Sequence, residues 1–359
     1  MKAAILKSFG SPLHIETISD PQAGTGDVIV DVTASAVLNY SDEVLSGARK
    51  YLLDLPAVPG PGAVGRVRTV GPDATQLKVG DWVYCDSTVR ARDDVQAPDI
   101  ILQGWTAAGE RALHLQRYHR DGAWSEQMRT ATENVFRLGE INAEDAASWC
   151  TLGTFLVPYG GLLAIKLQAG ETLLINGATG NFGSAAVAVA LGMGAGCVIA
   201  TGRNAQTLAD LKSRFGPRLR TIVMSGDEAN DREAIAQMAD GRIDCMLDLL
   251  PPMATTAQGR PALLSVRPNG RIALMGGVGM LGGAGLDIPY PWIMRNNITI
   301  QGQWMYPLQA VPQMIALMRA GLVRREEFTF TSFPLARANE AVTHAAANAG
   351  PFRMTLIEP

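Results

Sequence analysis

Hydrophobic positions change their spacing once along this chain, near residue 145. Before that point, short β-type runs at 2–7, 13–18, 27–37, 63–70 and 81–85 are broken by Gly, Pro and Asp, the pattern of an all-β barrel or sandwich. After it, strand-length apolar runs at 172–176, 197–201, 220–224, 243–250, 271–275 and 298–301 alternate with helix-length stretches at 184–191, 206–215, 232–239 and 261–266. Six strands separated by helices predict a doubly wound parallel sheet. From about residue 306 the elements are mixed, with helices expected over 310–320 and 336–347 and a strand over 352–357. The expected fold class is therefore α/β, a β-rich domain joined to a parallel-sheet domain. Residues 1–145, 146–305 and 306–359 are its three parts.

The most specific chemical signal lies at 171–204, ETLLINGATGNFGSAAVAVALGMGAGCVIATGRN. An apolar strand at 172–176 runs into a turn whose glycines, Gly177, Gly180 and Gly183, form G-x-x-G-x-x-G ahead of an Ala/Val-rich helix and a second strand. Without Cβ atoms the backbone can bend tightly and approach a pyrophosphate, while the helix amino terminus offers free N–H groups to its charge. Strand, turn, helix and strand in this order predict a dinucleotide site in which Gly177, Ala178, Thr179, Gly180, Asn181, Phe182 and Gly183 line the phosphates. An NAD site places Asp or Glu at the end of the second strand. This chain instead has Thr201, Gly202, Arg203 and Asn204, a neutral turn with a guanidinium able to pair with a 2′-phosphate, so the expected cofactor is NADP(H). The competing reading makes Arg203 an ordinary solvated arginine.

Composition narrows the class. With 359 residues, 47% of them hydrophobic, and a net charge of −3, the chain is long enough for two cores and lacks the basic surplus of a nucleic-acid binder. No apolar run reaches the ~20 residues that span a bilayer, and MKAAILKSFG resembles a first strand more than a secretory leader, so a soluble cytoplasmic protein is expected. Cys85, Cys150, Cys197 and Cys245 are scattered within mostly apolar runs, as reduced core thiols are.

Four segments carry a family resemblance: VGPDATQLKVGDWVYC (70–85), DGAWSEQMRTATENVFRLG (121–139), YGGLLAIKLQAGETLLINGATGNFG (159–183) and PLARANEAVTHAAA (334–347). Together with the element order, they make the chain similar to the medium-chain dehydrogenase/reductase superfamily over essentially its whole length. The resemblance implies a GroES-like β-barrel catalytic domain, a Rossmann domain, a final segment returning to the barrel, and a catalytic cleft between the domains. It also places Thr154, Leu249 and Leu250, and the loop Gly276, Gly277 and Val278, among the cofactor contacts. The Met- and Gly-rich stretch at 275–286 reads as either a lid or a mobile connection.

Zinc alcohol dehydrogenases of that superfamily have a Cys near the segment that here runs Leu38-Asn39-Tyr40-Ser41-Asp42. They have a His-Glu pair where this chain has Pro59-Gly60-Pro61-Gly62. A third ligand would fall near Gly153, with Cys150 close but off register, and the interval from Cys85 to Asp121 contains none of the four cysteines of a structural zinc lobe. His114 and His119 are spaced by five, which suits neither helical face. No metal is therefore expected. The resemblance then narrows to the zinc-free quinone-oxidoreductase-like branch, in which Asn39 and Asp42 would lie near the nicotinamide and Tyr40 or Tyr51 would donate to the substrate oxygen. The alternative has Asn39 and Asp42 merely capping a helix that begins near Ser41.

Three functions follow: NADPH-dependent reduction of a quinone or an activated double bond, zinc-independent carbonyl or alcohol oxidoreduction, and non-catalytic nucleotide binding. The small molecule is the expected partner, together with a second copy of the chain. The edge strand at 298–301 and its neighbours Tyr290, Trp292, Trp304 and Tyr306 suggest a homodimer through the Rossmann sheet.

Overall fold

The alternation DVIVDVTASAV makes a long strand, Asp27–Val37, with Val28, Val30 and Val32 on one buried side. In this computed structural model, which describes residues 1–239 and 242–359, that strand is the axis of a seven-stranded sheet. It pairs antiparallel with Ala63–Val70 along one edge. Along the other, its first half takes Gln127–Ala131 and its second half takes Arg353–Glu358. Register shifts at Ile29/Val30 and Val32/Ala34 bend it, as bulges do where a sheet curls. Val67, Val83, Cys85 and Met128 fill the space inside. This is a GroES-like domain. The run at 2–7 stands apart from the sheet, its strand Lys2–Ile5 forming a hairpin with His14–Thr17.

The chain divides into two units: Met1–Gly153 with Arg325–Ala349 and Arg353–Pro359, and Thr154–Arg324 with Gly350–Phe352. The return to the first unit thus starts at Arg325, later than the expected 306. The reason is the helix Ala310–Arg319, whose Ala310, Val311, Met314, Ile315 and Met318 form one buried stripe at helical spacing within the second unit.

The second unit holds six parallel strands: Thr172–Asn176, Cys197–Gly202, Leu219–Val223, Cys245–Asp248, Arg271–Leu274 and Thr299–Gly302. Their spatial order is third, second, first, fourth, fifth, sixth, the doubly wound Rossmann order that reverses between the first and fourth strands. The fourth strand is shorter than the apolar run at 243–250, so Leu249 and Leu250 lie beyond its end. The helix expected at 261–266 lies instead at Thr256–Leu263, opened by the Gln258 side chain accepting from the Thr255 N–H, with Pro261 inside it. Thr151–Ala164, TLGTFLVPYGGLLA, is a helix that the spacing did not announce: it is apolar all round, and Leu152, Phe155, Leu156 and Leu162 are all fully enclosed. No helix among the described residues is long and apolar enough to cross a membrane.

Candidate functional site

The glycine turn sits at the carboxyl end of the first strand of the parallel sheet, beside the point where the strand order reverses. Gly177 has φ +86°, which L side chains rarely adopt. A Cβ on Gly183 would come within 2.1 Å of the Gly177 carbonyl oxygen, so only glycine lets the helix Asn181–Gly192 start this close to the turn. Gly180 is different. It occupies the extended position before the helix, is exposed, and a Cβ there would meet nothing nearer than 4.0 Å. No side chain caps this helix, which leaves its first N–H groups for an anion. The Ala178 N–H donates to the Thr201 carbonyl (2.9 Å), drawing the turn onto the end of the second strand. Thr179 and Phe182 are half-buried beside it. Beyond that strand, Arg203 is exposed and forms no ion pair among the described residues, whereas Asn204 caps the helix Ala205–Phe215 by accepting from the Thr207 N–H (3.0 Å). Thr154 is buried on the helix Thr151–Ala164.

Under the turn lies a polar chain that the spacing analysis did not single out. Thr201 Oγ1 donates to Asn176 Oδ1 (2.9 Å), and Asn176 Nδ2 donates to Asp248 Oδ1 (2.9 Å), joining the ends of the second, first and fourth strands. The Gly277 N–H donates to the Leu250 carbonyl (2.9 Å) and brings the loop of Gly276, Gly277 and half-buried Val278 to the same sheet end. Burial pushes the Asp248 carboxyl up to about 6, against the opposing pull of Asn176 and the Leu250 N–H. The sequence signal was an acid, Asp248, within the otherwise apolar run MLDLL at 246–250.

A raised carboxyl favours the protonated fold: its contribution is complete below its unfolded value of 3.8 and is lost as pH rises through about 6. The two-unit rise corresponds to about 3 kcal/mol, from which the acceptor lost to the Leu250 N–H subtracts about 1 kcal/mol. Asp248→Asn, which keeps an acceptor for Asn176, is therefore expected to stabilise the protein by about 2 kcal/mol at pH 8 and to bring no gain at pH 4. Thermal melts at both pH values check this, and equal shifts at the two would refute it.

In the first unit, the segment after Asp27–Val37 turns through a Ser41 N–H bond to the Leu38 carbonyl into the short helix Ser41–Leu45. Tyr40 occupies the capping position and no side chain caps the helix, so Asn39 and Asp42 do not play the capping role that their residue types allowed. Asn39 is half-buried with no side-chain hydrogen bond among the described residues, and Asp42 is exposed. Tyr40 and Tyr51 meet through a residue missed in the sequence: the Arg49 guanidinium carbon lies 3.9 Å from the Tyr40 ring centre and 5.9 Å from that of Tyr51. Trp105 packs edge-on to Tyr40 at 6.2 Å and to Trp124 at 6.1 Å. Burial, with Tyr51 adding to it, raises the Tyr40 phenol well above its ordinary value, so it remains a proton-bearing donor throughout the neutral range.

The donor set does not suit zinc. Among the described residues no group of three His, Cys, Asp or Glu side chains could hold a metal ion. The Cys150 thiol donates to the Ala34 carbonyl (3.4 Å), and burial pushes it, like Cys85, up to about 12. His114 is exposed, whereas His119 is buried and held down to about 4 by desolvation.

Compared with known families, residues 24–140 match the alcohol dehydrogenase GroES-like domain and residues 182–320 match the zinc-binding dehydrogenase. The chain belongs to the medium-chain dehydrogenase/reductase superfamily. It is thus an oxidoreductase of a superfamily that binds a nicotinamide cofactor. This medium-chain enzyme is 27% identical over 284 residues to an alcohol dehydrogenase of Geobacillus stearothermophilus, covering 77% of each chain. It is 27% identical over 237 residues to the acryloyl-coenzyme A reductase of Metallosphaera sedula, covering 65% of this chain and 68% of the relative. The crystal structure of AibC, 25% identical, superposes with a TM-score of 0.79 over all of this chain and 96% of the other.

Proposed function

We propose that this medium-chain oxidoreductase is an NADPH-dependent, zinc-independent reductase of quinones or of double bonds activated by a carbonyl group. The observation that carries the reading is the partly buried, proton-bearing Tyr40, beside the lack of a zinc-holding group among the described residues. The acryloyl-coenzyme A reductase relative supports the same choice. NADPH, held along the glycine turn of Gly177, Gly180 and Gly183, would supply a hydride. Tyr40 donates a hydrogen bond to the substrate carbonyl oxygen as negative charge gathers there, and the α-carbon of the resulting enolate takes its proton from solvent. Asn39 and Tyr51, both half-buried, are assigned to the same substrate site, whereas Asp42 is exposed. A second reading, reduction of a carbonyl group itself, is favoured by the alcohol dehydrogenase relative and needs the same donor.

The test is NADPH oxidation measured against quinones, enones, enoyl thioesters and aldehydes, with and without chelator. Turnover of enones or quinones that chelator leaves intact supports the proposal, and turnover of aldehydes alone selects the second reading. Discrimination for NADPH is assigned to Arg203, whose exposed guanidinium is available to a 2′-phosphate. Arg203→Ala should weaken NADPH binding about tenfold or more and leave NADH unchanged, since a charge-assisted hydrogen bond contributes about 1.5–3 kcal/mol. Equal wild-type dissociation constants for the two cofactors would sink this assignment.

We also infer a homodimer through the sixth strand, Thr299–Gly302, which among the described residues pairs only with the fifth. Of the four neighbouring aromatics, Tyr306 is buried and Trp292 packs on the sheet core within the same unit, leaving Tyr290 and Trp304 exposed near the open edge. Light scattering giving the 38.2 kDa mass of one chain would count against pairing.

A further inference from the structure

Arg49 is nearly enclosed, with 12% of its side chain exposed, yet it spends little of its hydrogen-bonding capacity. Its Nε donates to Glu43 Oε2 (2.9 Å), its backbone N–H donates to the Glu43 carbonyl (3.0 Å), and its guanidinium makes no other hydrogen bond among the described residues. Stacking on the Tyr40 ring at 3.9 Å fixes the plane of the guanidinium, and the Glu43 contact fixes its rotation. The two terminal nitrogens are left as a preset fork. The terminal nitrogens are not among the buried unpartnered atoms, so the fork is held in place by its neighbours yet open to an acceptor that arrives with a ligand.

The neighbourhood points to the same ligand chemistry. The Tyr40 and Tyr51 rings lie against the guanidinium and Trp105 packs edge-on to Tyr40, and the hydroxyls and indole N–H of these residues are able to donate. Among the described residues Glu43 is the acid that pairs with Arg49, and it engages the Nε edge rather than the terminal pair. A planar guanidinium end matches two oxygens of one carboxylate, and the flanking aromatic rings favour an organic acid over a small inorganic anion.

We propose that Arg49 is a specificity-determining residue for a substrate that bears a carboxylate, which the terminal guanidinium nitrogens bind beside Tyr40. The inference rests on the reading that the Tyr40 segment contacts substrate. It narrows the quinone and enone class to members carrying an acid group, with Glu43 positioning the fork.

Calorimetric titration of the full chain with benzoate, benzamide and inorganic phosphate, each without and with NADPH, tests the proposal separately from turnover. Wild type should bind benzoate saturably, and should bind its neutral near-isostere benzamide and phosphate at least about tenfold more weakly. Arg49→Gln should lose about tenfold or more in benzoate affinity with benzamide unchanged. Arg49→Lys, which keeps the charge without the fork, should fall between the two and guards against a folding defect in the first variant. Benzamide binding as well as benzoate, phosphate binding more tightly than benzoate, benzoate affinity indifferent to Arg49→Gln, or no saturable benzoate binding would each overturn the proposal. Arg49-dependent benzoate binding in a protein that fails to bind NADPH would uphold this site while refuting the NADPH-dependent function.

Discussion

Gly183→Ala is expected to weaken NADPH binding by about 100-fold or more and to lower the melting temperature as well. The new Cβ would lie 2.1 Å from the Gly177 carbonyl oxygen and 2.7 Å from the Ala178 Cα, so turn and helix must move apart. A displacement of about 1 Å in a binding constellation costs about 10²-fold. Gly180→Ala separates the two effects. Its Cβ would meet only the Gly177 carbonyl oxygen, at an unstrained 4.0 Å, and its backbone is extended, so the fold should be kept. Only the close approach of a pyrophosphate is obstructed, and affinity should fall with the melting temperature unchanged. NADPH fluorescence titration beside thermal melts measures both quantities. Normal NADPH affinity in the Gly183 variant would remove the turn from the cofactor site.

Tyr40→Phe is expected to lower kcat by about 10²–10³-fold, within the range for losing one positioned donor to a developing oxyanion, while NADPH affinity is unchanged. The ring is held by Arg49 on one face and Trp105 at its edge, so phenylalanine should keep its position and only the hydroxyl is lost. Because burial raises the phenol, its ionisation should cause no fall in activity between about pH 6 and 9. Steady-state kinetics on the preferred substrate, with Tyr51→Phe in parallel, decides the assignment. A Tyr40 variant close to wild type beside an inactive Tyr51 variant would move the donor role to Tyr51.

The two experiments address parts of the protein that differ in how they could be read. Everything in the glycine turn is local: strand 172–176, three glycines and the helix after them occupy the 21 consecutive positions 172–192, and backbone sterics alone dictate the geometry. The Tyr40 surroundings are assembled from far apart. Trp105 reaches Tyr40 from a different part of the chain, through a three-stranded sheet formed by Thr88–Arg90, Ile100–Leu102 and Thr106–Ala107 that no spacing signal announced. Arg49, nine positions past Tyr40, stacks on it only because the short helix Ser41–Leu45 and the turn after it fold the chain back.

The same division runs through the whole molecule. The six parallel strands and their order in the chain were determined by the sequence, because apolar runs of strand length between helix-length stretches have one economical arrangement. The exchange between Asn176 and Asp248, 72 positions apart, exists only once the first and fourth strands lie side by side. Tertiary structure also decided which aromatics after residue 289 are available to a partner, burying Tyr306 and leaving Tyr290 in the open. It decided as well that Thr151–Ala164 is a helix, since a segment enclosed on most of its circumference carries no polar stripe from which its period could be read. Periodicity records which side of an element faces a core. It is silent where every side does, and it does not say which distant side chain will arrive to share that core.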